Sequence, residues 1–177
     1  ELVEPKVNWK ERLARFLRNN NKSDYSWQKP NRRFIGQGLY LPSMYAPSIE
    51  EVGVITDTSA SRTDEELNQD LSEISAMLID ANVDNVHFMQ ADTEVAAEET
   101  FTRESLPLKV TMQGRGGTAF GPAIAEMADK HPNISCLIYL TDLCASKEDF
   151  GTQPHLPVVW VSNYSTEAPY GEVIKTN

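Results

Sequence analysis

The sequence lacks the features that define several large classes of protein. Its 177 residues contain no apolar run long enough to cross a bilayer, and no secretory signal is recognisable. Cys136 and Cys144 are its two cysteines, too few for a disulfide framework. A predicted strand separates them by about 20 Å, so both are expected to be free thiols in a reducing cytoplasm.

Basic residues and histidines are also scarce. Sixteen Lys and Arg stand against 26 Asp and Glu, a formal net charge of −10. This argues against nucleic acid as the main partner, because phosphate binding needs a basic surface. The charge is compatible with cation binding, although an acidic soluble surface explains it more simply. His87, His131 and His155 have neither zinc-ligand spacing nor a catalytic-triad context, and are predicted to be structural or exposed.

The length suits one domain with an ordered N-terminal arm, divided at residues 1–49 and 50–177. Val7–Asn19 has the apolar spacing of an amphipathic helix. The aromatic and basic stretch Tyr25–Phe34 is predicted to pack on the main domain, with nucleic-acid contact as a weaker alternative. Leu39–Pro47 is a Pro-containing connection.

From Glu50 onward, apolar strands alternate with amphipathic helices. The pattern predicts strands at Glu51–Thr56, Val86–Ala91, Ser135–Thr141, Pro157–Val161 and Gly171–Lys175, helices at Thr63–Asn82 and Phe120–Asp129, and a short hairpin or edge strand from Glu94–Ala97 and Leu108–Met112. Thr63 and Glu66 form a capping-box signature. The predicted fold is α/β: a doubly wound, mostly parallel sheet with helices on both faces.

Oxygen-bearing side chains cluster where predicted strands end. Asp57, Ser59 and Ser61 follow the first apolar strand, Asp142 ends a later one, and Thr118 lies on a glycine-rich loop. Ligands bind at the carboxyl ends of such strands, where the strand order reverses. Hard oxygen donors suit Mg²⁺, or alternatively Mn²⁺ or Ca²⁺. If the two strands are neighbours, the five side chains converge on one divalent-metal site.

This set resembles the metal-ion-dependent adhesion site (MIDAS) of von Willebrand factor A (VWA) domains, in the order Asp57-x-Ser59-x-Ser61, Thr118, Asp142. The resemblance covers roughly residues 50–175. It implies a Rossmann-like fold in which the hydroxyls coordinate a metal directly or through water and the aspartates neutralise it. An acidic residue of a protein partner would complete the coordination.

A narrower resemblance covers the whole chain. Trp9, Tyr25-Ser26-Trp27, Gly116-Gly117-Thr118 and Pro157-Val158-Val159-Trp160 are similar to the VWA-like domain of a bacterial and phage family in which a metallopeptidase-type domain comes first. The resemblance implies a protein-binding module rather than an enzyme, or an accessory domain of a metal-dependent peptidase. No His-Glu-x-x-His occurs, so any peptidase centre is expected outside this chain. Analogy with bacterial VWA proteins suggests an AAA+ ATPase as a partner.

One position departs from the family pattern, and several alternatives stay open. Such domains often carry glycine soon after the strand-ending aspartate, where this chain has Leu143-Cys144. Asp57 as a phosphoryl-transfer nucleophile, the Gly114–Thr118 loop as a phosphate cradle and a serine hydrolase are weaker interpretations, because their usual partner residues are missing. Asp92 is expected to cap a loop, with support of the metal site as the alternative.

Overall fold

The computed structural model describes residues 8–20, 38, 48–58, 63–111, 113 and 116–176. The described α-helices are α1 (Trp9–Asn19), α2 (Asp64–Asp80) and α3 (Phe120–Lys130). The strands are β1 (Ile49–Asp57), β2 (Val83–Ala91), β3 (Val95–Thr102), β4 (Leu137–Leu140), β5 (Val158–Ser162) and β6 (Glu172–Lys175). Short 3₁₀ helices follow at Arg103–Ser105 and Lys147–Phe150.

The strands form one six-stranded sheet in the order β3-β2-β1-β4-β5-β6. Every neighbouring pair is parallel except β2 and β3, which run antiparallel. The chain winds outward from β1 in one direction to β2 and in the other to β4, so the strand order reverses between β1 and β4. The predicted α/β, doubly wound, mostly parallel sheet is confirmed.

Helices cover both faces of this sheet. Alternate side chains of β1, β2 and β4 point to opposite faces, as the period of a strand requires. One core lies under α1 and α2 and includes Leu13, Leu71, Val54 and Ile138. The other lies under α3 and contains an aromatic cluster of Phe120, Tyr139, Phe150, Trp160 and Tyr170, the last of them partly buried.

The helix starts follow from local capping. In α2 the Thr63 hydroxyl accepts from the Glu66 amide while the Glu66 carboxylate accepts from the Thr63 amide, which confirms the capping box. Helix α1 begins two residues later than predicted, because the Asn8 side chain caps it by accepting from the Lys10 amide at 3.1 Å.

One strand prediction is wrong. Of the two segments predicted to supply a hairpin or edge strand, residues 94–97 fall at the start of the edge strand β3, but the described part of residues 108–112 is irregular. Backbone groups of this segment form hydrogen bonds with side chains instead of with a neighbouring strand. The Leu108 amide donates to Ser75 Oγ at 2.9 Å, and the Thr111 carbonyl accepts from Gln90 Nε2 at 3.0 Å.

Some of the remaining predictions concern described residues, and others concern residues that the structure does not describe. The two cysteines are not joined in a disulfide, as predicted, and the structure shows Cys136 to be buried and Cys144 exposed. The aromatic arm at Tyr25–Phe34, the Leu39–Pro47 connection, Ser59 and Ser61 lie outside the described residues. No helix in the described part of the chain is long and apolar enough to cross a membrane.

Candidate metal centre

The reversal of strand order brings two aspartates to the same edge of the sheet. Asp57 is the last residue of β1, and Asp142 lies two residues beyond β4. The register pairs Thr56 with Leu140, so Asp57 is level with Thr141. Both carboxylates are buried, with 1% of Asp57 and 7% of Asp142 exposed. Burying two such charges is costly unless neighbouring groups or a cation stabilise them.

Thr141 joins the two strand ends. Its hydroxyl donates to Asp57 Oδ2 at 2.9 Å and accepts from the Leu143 amide at 3.0 Å. One buried threonine therefore orients the Asp57 carboxylate and ties it to the turn after β4. Sequence reasoning did not assign Thr141 a role in the site, although its place directly before Asp142 was a signal.

The turn after β4 holds Asp142 in place. The Cys144 amide donates to Asp142 Oδ1 at 2.9 Å. Leu143 makes this possible by adopting φ of 60°, the left-handed conformation that favours glycine. The loop that follows the strand-ending aspartate is therefore kept without glycine, and the buried Leu143 side chain joins the core under α3.

Asp92 anchors the glycine-rich loop to the end of β2. Its carboxylate accepts from the amides of Thr93, Glu94 and Gly116, and its carbonyl accepts from the Ala119 amide. A Cβ at Gly116 would lie 2.7 Å from Asp92 Oδ2, so this close approach requires glycine. The hydrogen bond from the Glu94 amide, followed by that from Gly116, lowers the pKa of Asp92. The expected loop-capping role is confirmed.

This anchoring positions Thr118. The residue is half-buried, two residues before α3, in the segment whose Ala119 amide bonds to Asp92. Asp92 directly follows Ala91, and Ala91 is the register partner of Asp57. Asp57, Thr118 and Asp142 thus share the carboxyl edge of the sheet. Ser59 and Ser61 lie outside the described residues, so their part in the site stays a prediction.

Tyr139 lies on the same face of the sheet as Thr141 and Asp57. It is fully buried, stacks on Trp160 with ring centroids 5.1 Å apart and contacts Phe120 edge-on. Its hydroxyl has no hydrogen-bond partner within the described structure. Burial, and next the negative charge of Asp57, raise the pKa of Tyr139 well above its ordinary value, so the hydroxyl stays protonated.

Two histidines are assembled away from this edge. The His87 and His131 rings stack with centroids 3.7 Å apart, and His131 Nε2 lies 2.7 Å from Glu98 Oε1. His87 is the register partner of Gly53, four residues before Asp57. That separation is about 13 Å along the strand, so neither histidine serves the carboxylate edge.

The donor set suits a hard divalent cation. Two carboxylates and a threonine hydroxyl are oxygen donors of the kind that Mg²⁺, Mn²⁺ and Ca²⁺ take. Across the described ranges, no group of three or more His, Cys, Asp or Glu side chains is arranged to hold a metal. A site here would depend on hydroxyls as well as carboxylates.

Comparisons with known proteins match most of the chain to one family model. The family model described as "VWA-like domain (DUF2201)" matches residues 52–177, and one described as "Putative metallopeptidase domain" matches residues 1–50. Among solved structures, the ArnB paralog VWA2 from Sulfolobus acidocaldarius is 16% identical, with a TM-score of 0.46. The alignment covers 64% of this chain and 34% of that one, so this chain spans about a third of its length. No curated protein matches the chain.

Proposed function

We propose, since this chain belongs to the VWA-like domain (DUF2201) family, that it is a divalent-metal-dependent protein-binding module. The observation that carries the proposal is the pair of buried carboxylates at the point of strand reversal. Asp57 and Asp142 end neighbouring parallel strands, and the Thr141 hydroxyl fixes one of them. Ligands bind at this place in doubly wound sheets.

The proposed ligands are Asp57, Ser59, Ser61, Thr118 and Asp142, and the proposed ion is Mg²⁺, with Mn²⁺ or Ca²⁺ as alternatives. When bound, the ion would supply a Lewis acid that accepts a carboxylate from a partner protein. The chain's own carboxylates would offset its charge. The hydroxyls are weak neutral ligands, so we expect affinity in the range of about 10 µM to 1 mM.

A binding role is better supported than catalysis in this chain. The two histidines of the stacked pair are engaged with Glu51, Thr100 and Glu98. The stacked pair is level with Gly53, four residues or about 13 Å along the strand from Asp57. At that distance neither ring can act as a general base at the carboxylates. Ion binding therefore accounts for the site without a nucleophile or base.

The carboxylate edge also offers a surface for a partner. Tyr164 follows β5 by two residues at this edge and is 72% exposed. The Ser162 hydroxyl accepts from the Tyr164 and Ser165 amides, both at 3.2 Å, which holds the loop in one shape. Exposed, preorganised aromatic residues are frequent contact points in protein interfaces. The proposed partner is a protein that supplies an acidic residue, and analogy with bacterial VWA proteins makes an AAA+ ATPase of the cytoplasm a candidate.

A second candidate is that the chain is the accessory part of a metal-dependent peptidase or hydrolase. The match of residues 1–50 to the metallopeptidase-domain model favours it. In that case the catalytic centre lies outside this chain, and the carboxylate edge recruits a substrate or regulator.

The metal site is tested by titrating Mg²⁺ and Mn²⁺ into the chain by calorimetry. We expect one bound ion in the native protein and loss of binding in Asp57→Ala and Asp57→Asn, because a charged ligand is removed. Asp129→Ala is the matched control, since Asp129 is exposed at the far end of α3. Unchanged binding in both Asp57 variants would show that the site is assigned wrongly.

The binding role is tested separately by affinity capture from the native host in Mg²⁺ and in EDTA. We expect a partner that is retained in Mg²⁺ and lost in EDTA and with Asp57→Ala. A partner retained equally in EDTA would argue against a metal bridge. Peptidase activity in this isolated chain would overturn the non-catalytic role.

A further inference from the structure

Tyr139 is placed in the core in a way that packing alone does not explain. The residue is in the middle of β4, paired in register with Ile55 on β1 and Trp160 on β5. Its ring stacks on Trp160 and contacts Phe120, the first residue of α3. Phenylalanine has the same ring and would make the same contacts.

The hydroxyl is what distinguishes tyrosine here. It is fully buried and has no hydrogen-bond partner in the described structure. A buried polar group without a partner is destabilising, because it loses its hydrogen bonds to water and gains none. By contrast, the hydroxyl of Tyr170, in the same aromatic cluster, donates to the Phe150 carbonyl at 2.8 Å. In the described structure the Thr56 hydroxyl on β1 also lacks a partner, but within the aromatic cluster the Tyr139 hydroxyl is the polar group left unpaired.

The position of Tyr139 relates this hydroxyl to the carboxylate edge. Tyr139 and Thr141 are two residues apart and so point to the same face of the sheet, the face of Ile55 and Asp57. Thr141 is level with Asp57, which makes Tyr139 and Asp57 diagonal neighbours on that face. Strands about 4.8 Å apart and a step of two residues along the strand place the two Cα atoms about 8 Å apart, within reach of a tyrosine side chain.

We propose that Tyr139 is a positioning residue of the metal site, whose hydroxyl donates a hydrogen bond to the Asp57 carboxylate when the cation is bound. This inference rests on the proposed function. Thr141 already donates to Asp57 Oδ2, and a second donor from below would fix the plane of the carboxylate. Groups that orient metal-binding carboxylates in this way commonly change metal affinity by about 10-fold or more when removed.

The test compares Tyr139→Phe with Tyr170→Phe. For Tyr139→Phe we expect Mg²⁺ and Mn²⁺ affinity about 10-fold weaker, with thermal stability in EDTA unchanged or raised by about 2–4 °C. For Tyr170→Phe we expect the reverse: lower stability in EDTA, because the bond to the Phe150 carbonyl is lost, and native metal affinity. Both are measured by calorimetry and thermal unfolding.

A spectroscopic readout separates a positioning role from a purely structural one. Metal binding should perturb the ultraviolet absorption of one tyrosine in the native protein and in Tyr170→Phe, and this signal should be absent in Tyr139→Phe. Native metal affinity in Tyr139→Phe would overturn the inference and leave the proposed metal site intact. Failure of the native protein to bind either ion would overturn the proposed function itself, and this inference with it.

Discussion

At the scale of single residues, Leu143 illustrates how side-chain burial offsets backbone strain. A left-handed backbone costs a residue with a Cβ about 1–2 kcal/mol, and Leu143 has φ of 60°. Burying a leucine side chain contributes about 1.5–3 kcal/mol, and Leu143 is packed against the core under α3. The two effects are of similar size, so the turn that holds Asp142 persists without glycine.

This balance predicts an unusual order of stability among variants. Leu143→Gly loses the packing but relieves the strain, whereas Leu143→Ala loses the packing and keeps the strain. We therefore expect Leu143→Gly to be more stable than Leu143→Ala by about 1 kcal/mol, measured by urea unfolding. Elsewhere alanine is the more stable of the two, so the opposite order would show that the φ of Leu143 is not left-handed in solution.

The candidate site residues differ in how far the sequence could predict them. Asp57 and Asp142 were placed correctly at strand ends, because an apolar run that stops at an acid is visible in one dimension. The contact of Thr141 with Asp57 was not predictable, since it depends on the register of β1 against β4. The unpartnered hydroxyl of Tyr139 is likewise invisible until the neighbouring strands and α3 are in place.

At the scale of elements, the end of α3 meets β2 through the stacked histidines. His131 caps α3, and its ring lies on His87 of β2, while Glu98 of β3 accepts from both His131 and Lys130. His87 also faces Glu51 of β1 and Thr100 of β3. Burial, and next the charge of His131, lower the pKa of His87 below 6.5, although the carboxylates of Glu51 and Glu98 oppose this.

The free energy of unfolding should therefore decrease in mild acid, because protonation of His87 favours the unfolded chain. The fold disfavours the protonated imidazole, so the unfolded chain binds the proton first as the pH falls below about 6.5. The stabilisation is complete above that pH and is lost as the pH falls toward the lower pKa of the folded state. We expect His87→Gln to lose less free energy of unfolding than the native protein between pH 7.5 and pH 5.5.

His155→Gln is the control for this measurement, because His155 is exposed in a loop. Its pH dependence should match that of the native protein. An identical pH dependence in His87→Gln would show that the stacked pair makes no contribution to acid sensitivity.

Among the elements, those with a strong local signal were predicted best. The observed ends of α2 and α3 lie within two residues of the predicted ends. Capping residues and apolar periodicity are signals within one short stretch of sequence, so they can be recognised without the tertiary structure. The failure at residues 108–112 has a tertiary cause. Side chains of α2 and β2, Ser75 and Gln90, bind the backbone that a strand would have used for pairing.

At the scale of the whole molecule, α1 is part of the same core as the sheet. Leu13 and Leu17 are fully buried with residues of β1, β2 and β4. Arg12 Nη2 donates to the Val173 carbonyl of β6 at 3.2 Å and to Glu172 Oε1 at 3.1 Å. The helix lies within the residues matched by the metallopeptidase-domain model, yet it covers the sheet of the VWA-like domain.

We therefore expect α1 and the sheet to unfold together. Leu13→Ala should lower the free energy of unfolding by about 2–5 kcal/mol, in one cooperative transition followed by circular dichroism and tryptophan fluorescence. Leu71→Ala on α2, in the same core, should behave alike, and Arg15→Ala on the exposed side of α1 should change little. A Leu13→Ala protein with an unchanged main transition would mean that α1 is an appendage.

The sequence by itself determined the class of fold and predicts the kind of chemistry. Periodicity sets helices and strands locally, and their alternation leaves few arrangements other than a doubly wound sheet. Oxygen donors at strand ends predict a hard cation because residue type decides ligand type. The tertiary structure decided which groups touch: Thr141 with Asp57, Asp92 with the glycine-rich loop, Tyr139 with Phe120 and α1 with the core. These contacts join residues far apart in the chain, and only strand register and helix packing bring them within bonding distance.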